Sequence, residues 1–117
     1  MSNKTGITKT AVLFARSATD NFTSLTRQLE VCQQWAEANR YTVIGKFSEV
    51  ASGVARDLPL LAEAVKLAET QGAALVCVEP SRLARNMLLY NARMADCEAR
   101  GVVVIFVRQG TKSHERQ

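Results

Sequence analysis

Two short stretches of the chain hold side chains suited to chemistry at phosphorus. The first, Phe14-Ala15-Arg16-Ser17-Ala18-Thr19-Asp20, ends an apolar run with a guanidinium and two hydroxyls. The second, Glu79-Pro80-Ser81-Arg82-Leu83-Ala84-Arg85-Asn86, sets two arginines three residues apart. A guanidinium offers forked donors that match phosphate oxygens, and a hydroxyl activated beside it can attack the phosphorus. Ser17 is the hydroxyl next to Arg16. Thr19 is more remote, and its β-branched secondary hydroxyl is the poorer nucleophile.

The elements that position these residues follow from hydrophobic spacing. Residues 9–15 form an apolar run and predict a buried strand. Leu25, Leu29, Cys32 and Ala36 fall on one helical face, which predicts a helix over 25–39 with Ser24 as its N-cap. Residues 41–47 predict a second strand, followed by a loop over 48–57 with a Ser-Gly break. A second helix is expected over 58–70, with Pro59 in its first turn and Gln71-Gly72 closing it. Residues 73–79 are apolar at nearly every position, as in a central parallel strand covered on both faces. A third helix is expected from Pro80 to Gly101, with Leu83, Met87, Tyr90, Met94 and Cys97 as its apolar stripe. Residues 102–107 form the fourth strand. The alternation predicts a three-layer α/β fold, a mainly parallel four-stranded sheet flanked by helices. One domain over 9–108 is expected, between flexible polar tails at 1–8 and 109–117.

In open α/β sheets a ligand sits beyond the carboxyl ends of the strands. Arg16, Ser17 and Thr19 fall at one such end, and Arg82 and Arg85 at another, in what reads as the first turns of a helix. The helix dipole disfavours arginine there, and a bound phosphate reverses the sign. The plain alternative is that these arginines pair with Glu79, Asp57 or Asp20, or point into water. Arg93 and Arg100 further along read as a solvated basic face, and Trp35 and Tyr90 as core or interface residues rather than base-stacking platforms.

Net charge is +4, which favours an anionic partner such as nucleic acid, although many soluble proteins as basic bind none. Cys32, Cys77 and Cys97 form no ligand pair, and His114 stands alone in a polar stretch. Three buried free thiols are therefore expected, without metal or cofactor. The first ten residues lack the apolar core of a signal peptide, and no apolar run is long enough to span a membrane. A cytoplasmic protein without a membrane partner is expected.

Over roughly residues 10–108 the chain resembles the catalytic domain of serine recombinases of the resolvase/invertase type. Residues 14–20 resemble that family's first-strand motif, an aromatic, any residue, Arg, Val, Ser, Thr. Residues 24–47 are similar to its first helix and second strand, Ala51-Ser52-Gly53 to its second loop, and residues 81–86 to its Asp-Arg-Leu-x-Arg motif. The resemblance implies site-specific DNA recombination, in which a serine attacks a backbone phosphodiester to form a 5′-phosphoserine link. It implies that arginines steady the transition state and that no metal is needed. Carried over by position, Arg16 is the strand-end phosphate ligand and Arg82 and Arg85 are the second arginine pair. Gln28 and Ser52 are supporting polar groups, with Thr19 beside them. Arg16, Arg56, Arg82 and Arg85 are the expected phosphate or DNA ligands.

The sequence departs from the family pattern at functional positions. Ser17 falls where the family has valine, and Ala18 where it has the nucleophile. Leu58 falls where the family has a further arginine, with Arg56 two residues earlier, and Ser81 replaces an aspartate. Family enzymes continue into a long dimer-building helix and a DNA-binding domain, so this stretch alone is expected to bind DNA weakly and without sequence choice. Three readings stand. One is a recombinase core with Ser17 as a displaced nucleophile. The second is a non-catalytic DNA-binding protein, or a regulator that pairs with a recombinase or with itself. The third, a small phosphate-ligand module, lacks a P-loop or GxGxxG.

Overall fold

In the computed structural model, residues 9–108 and 111–112 are described. Their elements are β1 (Lys9–Ser17), α1 (Phe22–Ala38), β2 (Tyr41–Val50), α2 (Pro59–Gln71), β3 (Ala74–Cys77), α3 (Met87–Ala99), β4 (Val104–Phe106) and β5 (Thr111–Lys112). The sheet order is β2-β1-β3-β4-β5, with the first four strands parallel and β5 paired antiparallel to β4. The expected parallel sheet is present, and the two-residue β5 adds to it a strand within the stretch read as a loose tail.

Strict alternation along β1 builds the three layers. Val12 and Phe14 face one side, where they pack with Leu61, Ala64 and Val65 of α2 and Cys97 of α3. Ala11 and Leu13 face the other side with Cys32 of α1. Chain order reverses at β1: α1 leads from it to β2 on one side, and α2 then crosses to β3 on the other. That switch point opens a crevice at the carboxyl ends of β1 and β3.

Several boundaries differ from the sequence reading, each for a local reason. Helix α1 starts at Phe22 because Asn21 is the cap, its side chain accepting from the Ser24 amide at 2.9 Å. Ser24 instead accepts from Gln28 Nε2 through its hydroxyl, at 3.2 Å. Strand β2 runs on to Val50, pairing Ser48, Glu49 and Val50 with Ala15, Arg16 and Ser17. The third helix does not begin at Pro80. A single 3-10 turn spans Pro80–Arg82, the helical path is interrupted over 83–86, and α3 starts after Asn86, whose side chain accepts from the Leu89 amide at 3.1 Å. Leu83 still reaches the core, but Met87 stands 72% exposed, outside the expected stripe. Gly72 closes α2 in the left-handed conformation at φ 66°, as a glycine there readily does. All three cysteines are buried, and Trp35 packs on Tyr41 with ring centroids 5.1 Å apart.

Candidate functional site

Arg16 is the penultimate residue of β1 and lies on the α2 side, 1% exposed. Its Nη1 donates to the Ala51 carbonyl at 2.8 Å, Nη2 to Ser81 at 2.6 Å and Nε to Arg82 at 3.1 Å. All three guanidinium nitrogens are thus taken by backbone carbonyls. The side chain fastens the loop after β2 to the turn after β3. Burial lowers its pKa from the usual arginine range, and the nearby Arg82, Arg85 and Arg93 push the same way. Gln28, reaching from α1, clasps the Arg16 backbone: Oε1 accepts from its amide at 3.2 Å, and Nε2 donates to its carbonyl at 3.0 Å.

Ser17 is still in the strand, so alternation turns its side chain to the α1 side, away from the Arg16 guanidinium. Its hydroxyl accepts from the Thr19 amide at 3.4 Å, and its carbonyl accepts from the Ala51 amide. The chain leaves the strand one residue later, at Ala18, which is exposed, as is Thr19. The structure therefore brings Arg16, Arg82 and Gln28 together at this strand end, while the hydrogen-bond partner of the Ser17 hydroxyl among the described residues is the Thr19 amide.

The second arginine pair does not lie on one helical face, because no helix runs through it. Arg82 sits in the 3-10 turn, its Nη1 donating to the Arg16 carbonyl at 3.2 Å and its Nη2 paired with Glu79 at 3.2 Å. Its Nε is buried without a partner among the described residues. Pairing with Glu79, one of the plain alternatives, therefore holds for Arg82. Arg85 lies in the exposed segment before α3 and its amide donates to the Gly53 carbonyl at 2.9 Å. Its guanidinium meets no acceptor among the described residues. A Cβ on Gly53 would lie 2.8 Å from Arg85 Cβ and 3.0 Å from Arg16 Nη2, so only glycine lets the two segments close. Ser52 is exposed and shapes this loop, its hydroxyl accepting from the Val54 amide at 3.1 Å. Arg56 is exposed on the same loop, and Leu58 is core.

Two residues at the site escaped the sequence reading. Arg93 of α3, set down as solvated, is half-buried. Its Nη1 donates to the Leu83 carbonyl at 2.7 Å, and its Nη2 to Ala55 at 2.7 Å and Arg56 at 3.1 Å. Burial lowers its pKa, while Asp57 and Glu49 oppose the shift. The signal was its place between Tyr90 and Cys97, on the core side of the helix. Glu49, 4% exposed, caps α2 from β2, its carboxylate accepting from the amides of Leu60 and Leu61 at 3.0–3.2 Å. The signal there was a helix whose own cap position, Leu58, offers no acceptor. Arg100, by contrast, is a surface residue paired with Glu69 and Asp96. No three His, Cys, Asp or Glu side chains among the described residues are grouped as metal ligands, and no described helix is long and apolar enough to cross a membrane.

The parallel sheet carries one helix on one face and two on the other, with arginines gathered at its switch point. Residues 11–117 match the family described as Resolvase, N terminal domain, and the chain belongs to that family. It is a recombinase-like domain. The C-terminal catalytic domain of ISC1926 TnpA, an IS607-like serine recombinase, is 25% identical with a TM-score of 0.74, covering 83% of this chain and 69% of that one. The N-terminal catalytic domain of TP901-1 integrase superposes with a TM-score of 0.80 at 16% identity, covering 92% and 84%. A resolvase family site-specific recombinase from Streptococcus pneumoniae gives 0.76 at 19% identity, covering 93% and 78%. These last two share the fold. No curated protein matches.

Proposed function

We propose that this domain is a non-catalytic member of its family, which holds duplex DNA by its backbone phosphates without forming a phosphoserine link. One observation carries the reading. Ala18 stands where the resemblance puts the nucleophile, and strand alternation turns the neighbouring Ser17 side chain to the face opposite the Arg16 guanidinium. Arg85 and Arg56 are the exposed guanidiniums for phosphate contact, and Ser52 and Thr19 are exposed as well. Arg16, Arg82 and Gln28 set the frame on which they stand. Three reduced thiols are in keeping with a cytoplasmic setting.

Gel shift of a short duplex of arbitrary sequence over a salt series tests this. Binding should be weak, indifferent to sequence and steeply salt-dependent, and Arg85→Ala should reduce the log–log salt slope by about one. Affinity that ignores both salt and Arg85→Ala would refute it. A partner role draws support from Val54, Met87 and Leu88, which are 57%, 72% and 79% exposed. Val54 follows Gly53, whose carbonyl holds the Arg85 amide, and Met87 and Leu88 follow Arg85 by two and three residues. Sedimentation of the domain with Met87→Ser and Leu88→Ser should show less self-association than the parent, and an unchanged profile would remove that support.

A further inference from the structure

Around the crevice, two arginine side chains, Arg16 buried and Arg93 half-buried, hold the same pair of segments together. Arg16 ties Ala51 to Ser81 and Arg82 on one side of the Gly53–Arg85 backbone bond. Arg93 ties Ala55 and Arg56 to Leu83 on the other. We infer that Arg93 is a positioning residue: it fixes the spacing of the exposed Arg56 and Arg85 guanidiniums, so that both meet phosphates of one DNA backbone. The inference rests on the DNA-binding reading above and assigns the geometry of that contact to a side chain that itself faces inward.

The chemistry favours a guanidinium in this role. Its planar fork bridges three carbonyls at once, which a lysine ammonium on a flexible stem does not reproduce. Arg56 gives its carbonyl to Arg93, so the backbone that aims its side chain is held directly. Arg85 lies two residues beyond the Leu83 carbonyl that Arg93 holds, and its side chain packs on Gly53 in the opposite segment. Releasing Arg93 loosens both segments and leaves the exposed Arg56 and Arg85 charges in place.

A mutant cycle read by DNA affinity tests this, using fluorescence anisotropy on a labelled duplex at low salt. Arg93→Ala should weaken binding by about tenfold in the parent, and by less than about twofold where Arg56 and Arg85 are already alanine. Arg93→Lys, which keeps the charge and folds more readily, should fall close to Arg93→Ala. Arg100→Ala removes the same charge from the far end of α3 and should weaken binding by the same small factor in both backgrounds. Equal losses from Arg93→Ala in both backgrounds, or full rescue by lysine, would overturn the inference, because Arg93 would then act by charge alone. Amide exchange of Ala55 and Arg85 should speed up in both Arg93 variants, and exchange that stays slow would overturn it as well. Absence of duplex binding by the parent would instead remove the reading on which the inference rests.

Discussion

Replacing Arg16 by methionine separates a structural arginine from a phosphate ligand. Methionine keeps much of the volume and removes every donor. The carbonyls of Ala51, Ser81 and Arg82 would each lose a charged partner, now held at 2.6–3.1 Å. Leaving a buried acceptor unpaired costs about 1–3 kcal/mol. All three residues are half-buried, so water can reach part of the gap and the lower figure applies, about 3 kcal/mol in all. Relief from burying a charge among three other arginines offsets part of this, leaving a net loss of about 2–3 kcal/mol. At a urea m-value of about 1.5 kcal/mol/M, the unfolding midpoint drops by roughly 1.3–2 M. The assay is equilibrium urea unfolding followed by far-ultraviolet circular dichroism, parent against variant. A midpoint within about 0.3 M of the parent's would refute the reasoning, since an arginine free to serve a ligand would contribute little to stability.

Two further predictions rest on groups away from the arginines. Glu49→Ala removes the acceptor for the Leu60 and Leu61 amides and should cost about 1–2 kcal/mol in the same unfolding assay, with Glu49→Gln losing less; an unchanged midpoint would mean that α2 is capped otherwise. Burial raises the thiols, Cys32 to about 12, Cys97 to about 11 and Cys77 well above its ordinary value. Their folded pKa values lie above the unfolded ones, so the stability they contribute is complete below about pH 9 and is lost as pH rises toward the folded values. Urea midpoints should fall between pH 9 and 10.5, at about 1.4 kcal/mol per pH unit for each thiol, and a flat profile there would contradict their burial.

The sequence made the frame of the site visible and hid its fastenings. Strands β1 and β3 were legible because they are buried on both faces, so their apolar runs carry the signal unaided. Segment 80–86 misled because Leu83 keeps helical spacing with Tyr90 and Cys97 while packing into the core from outside the helix. Pro80 and Asn86 fix the true break, and Asn86 caps the real helix. Arg93 and Glu49 were illegible for a different reason. Their partners are backbone carbonyls and amides brought close only by the tertiary fold, and backbone groups leave no trace in residue type. The position of Ser17 was legible, but its direction was not, because that turned on whether the strand ends at residue 16 or 17.

Covalent trapping tests most directly whether this recombinase fold cuts DNA. The protein is incubated with nicked supercoiled DNA and denatured, and a protein–DNA adduct is sought, with Ser17→Ala and Ala18→Ser run beside the parent. The proposed non-catalytic reading predicts no adduct from the parent or from Ser17→Ala. An adduct from the parent that Ser17→Ala abolishes would contradict it and make Ser17 the nucleophile.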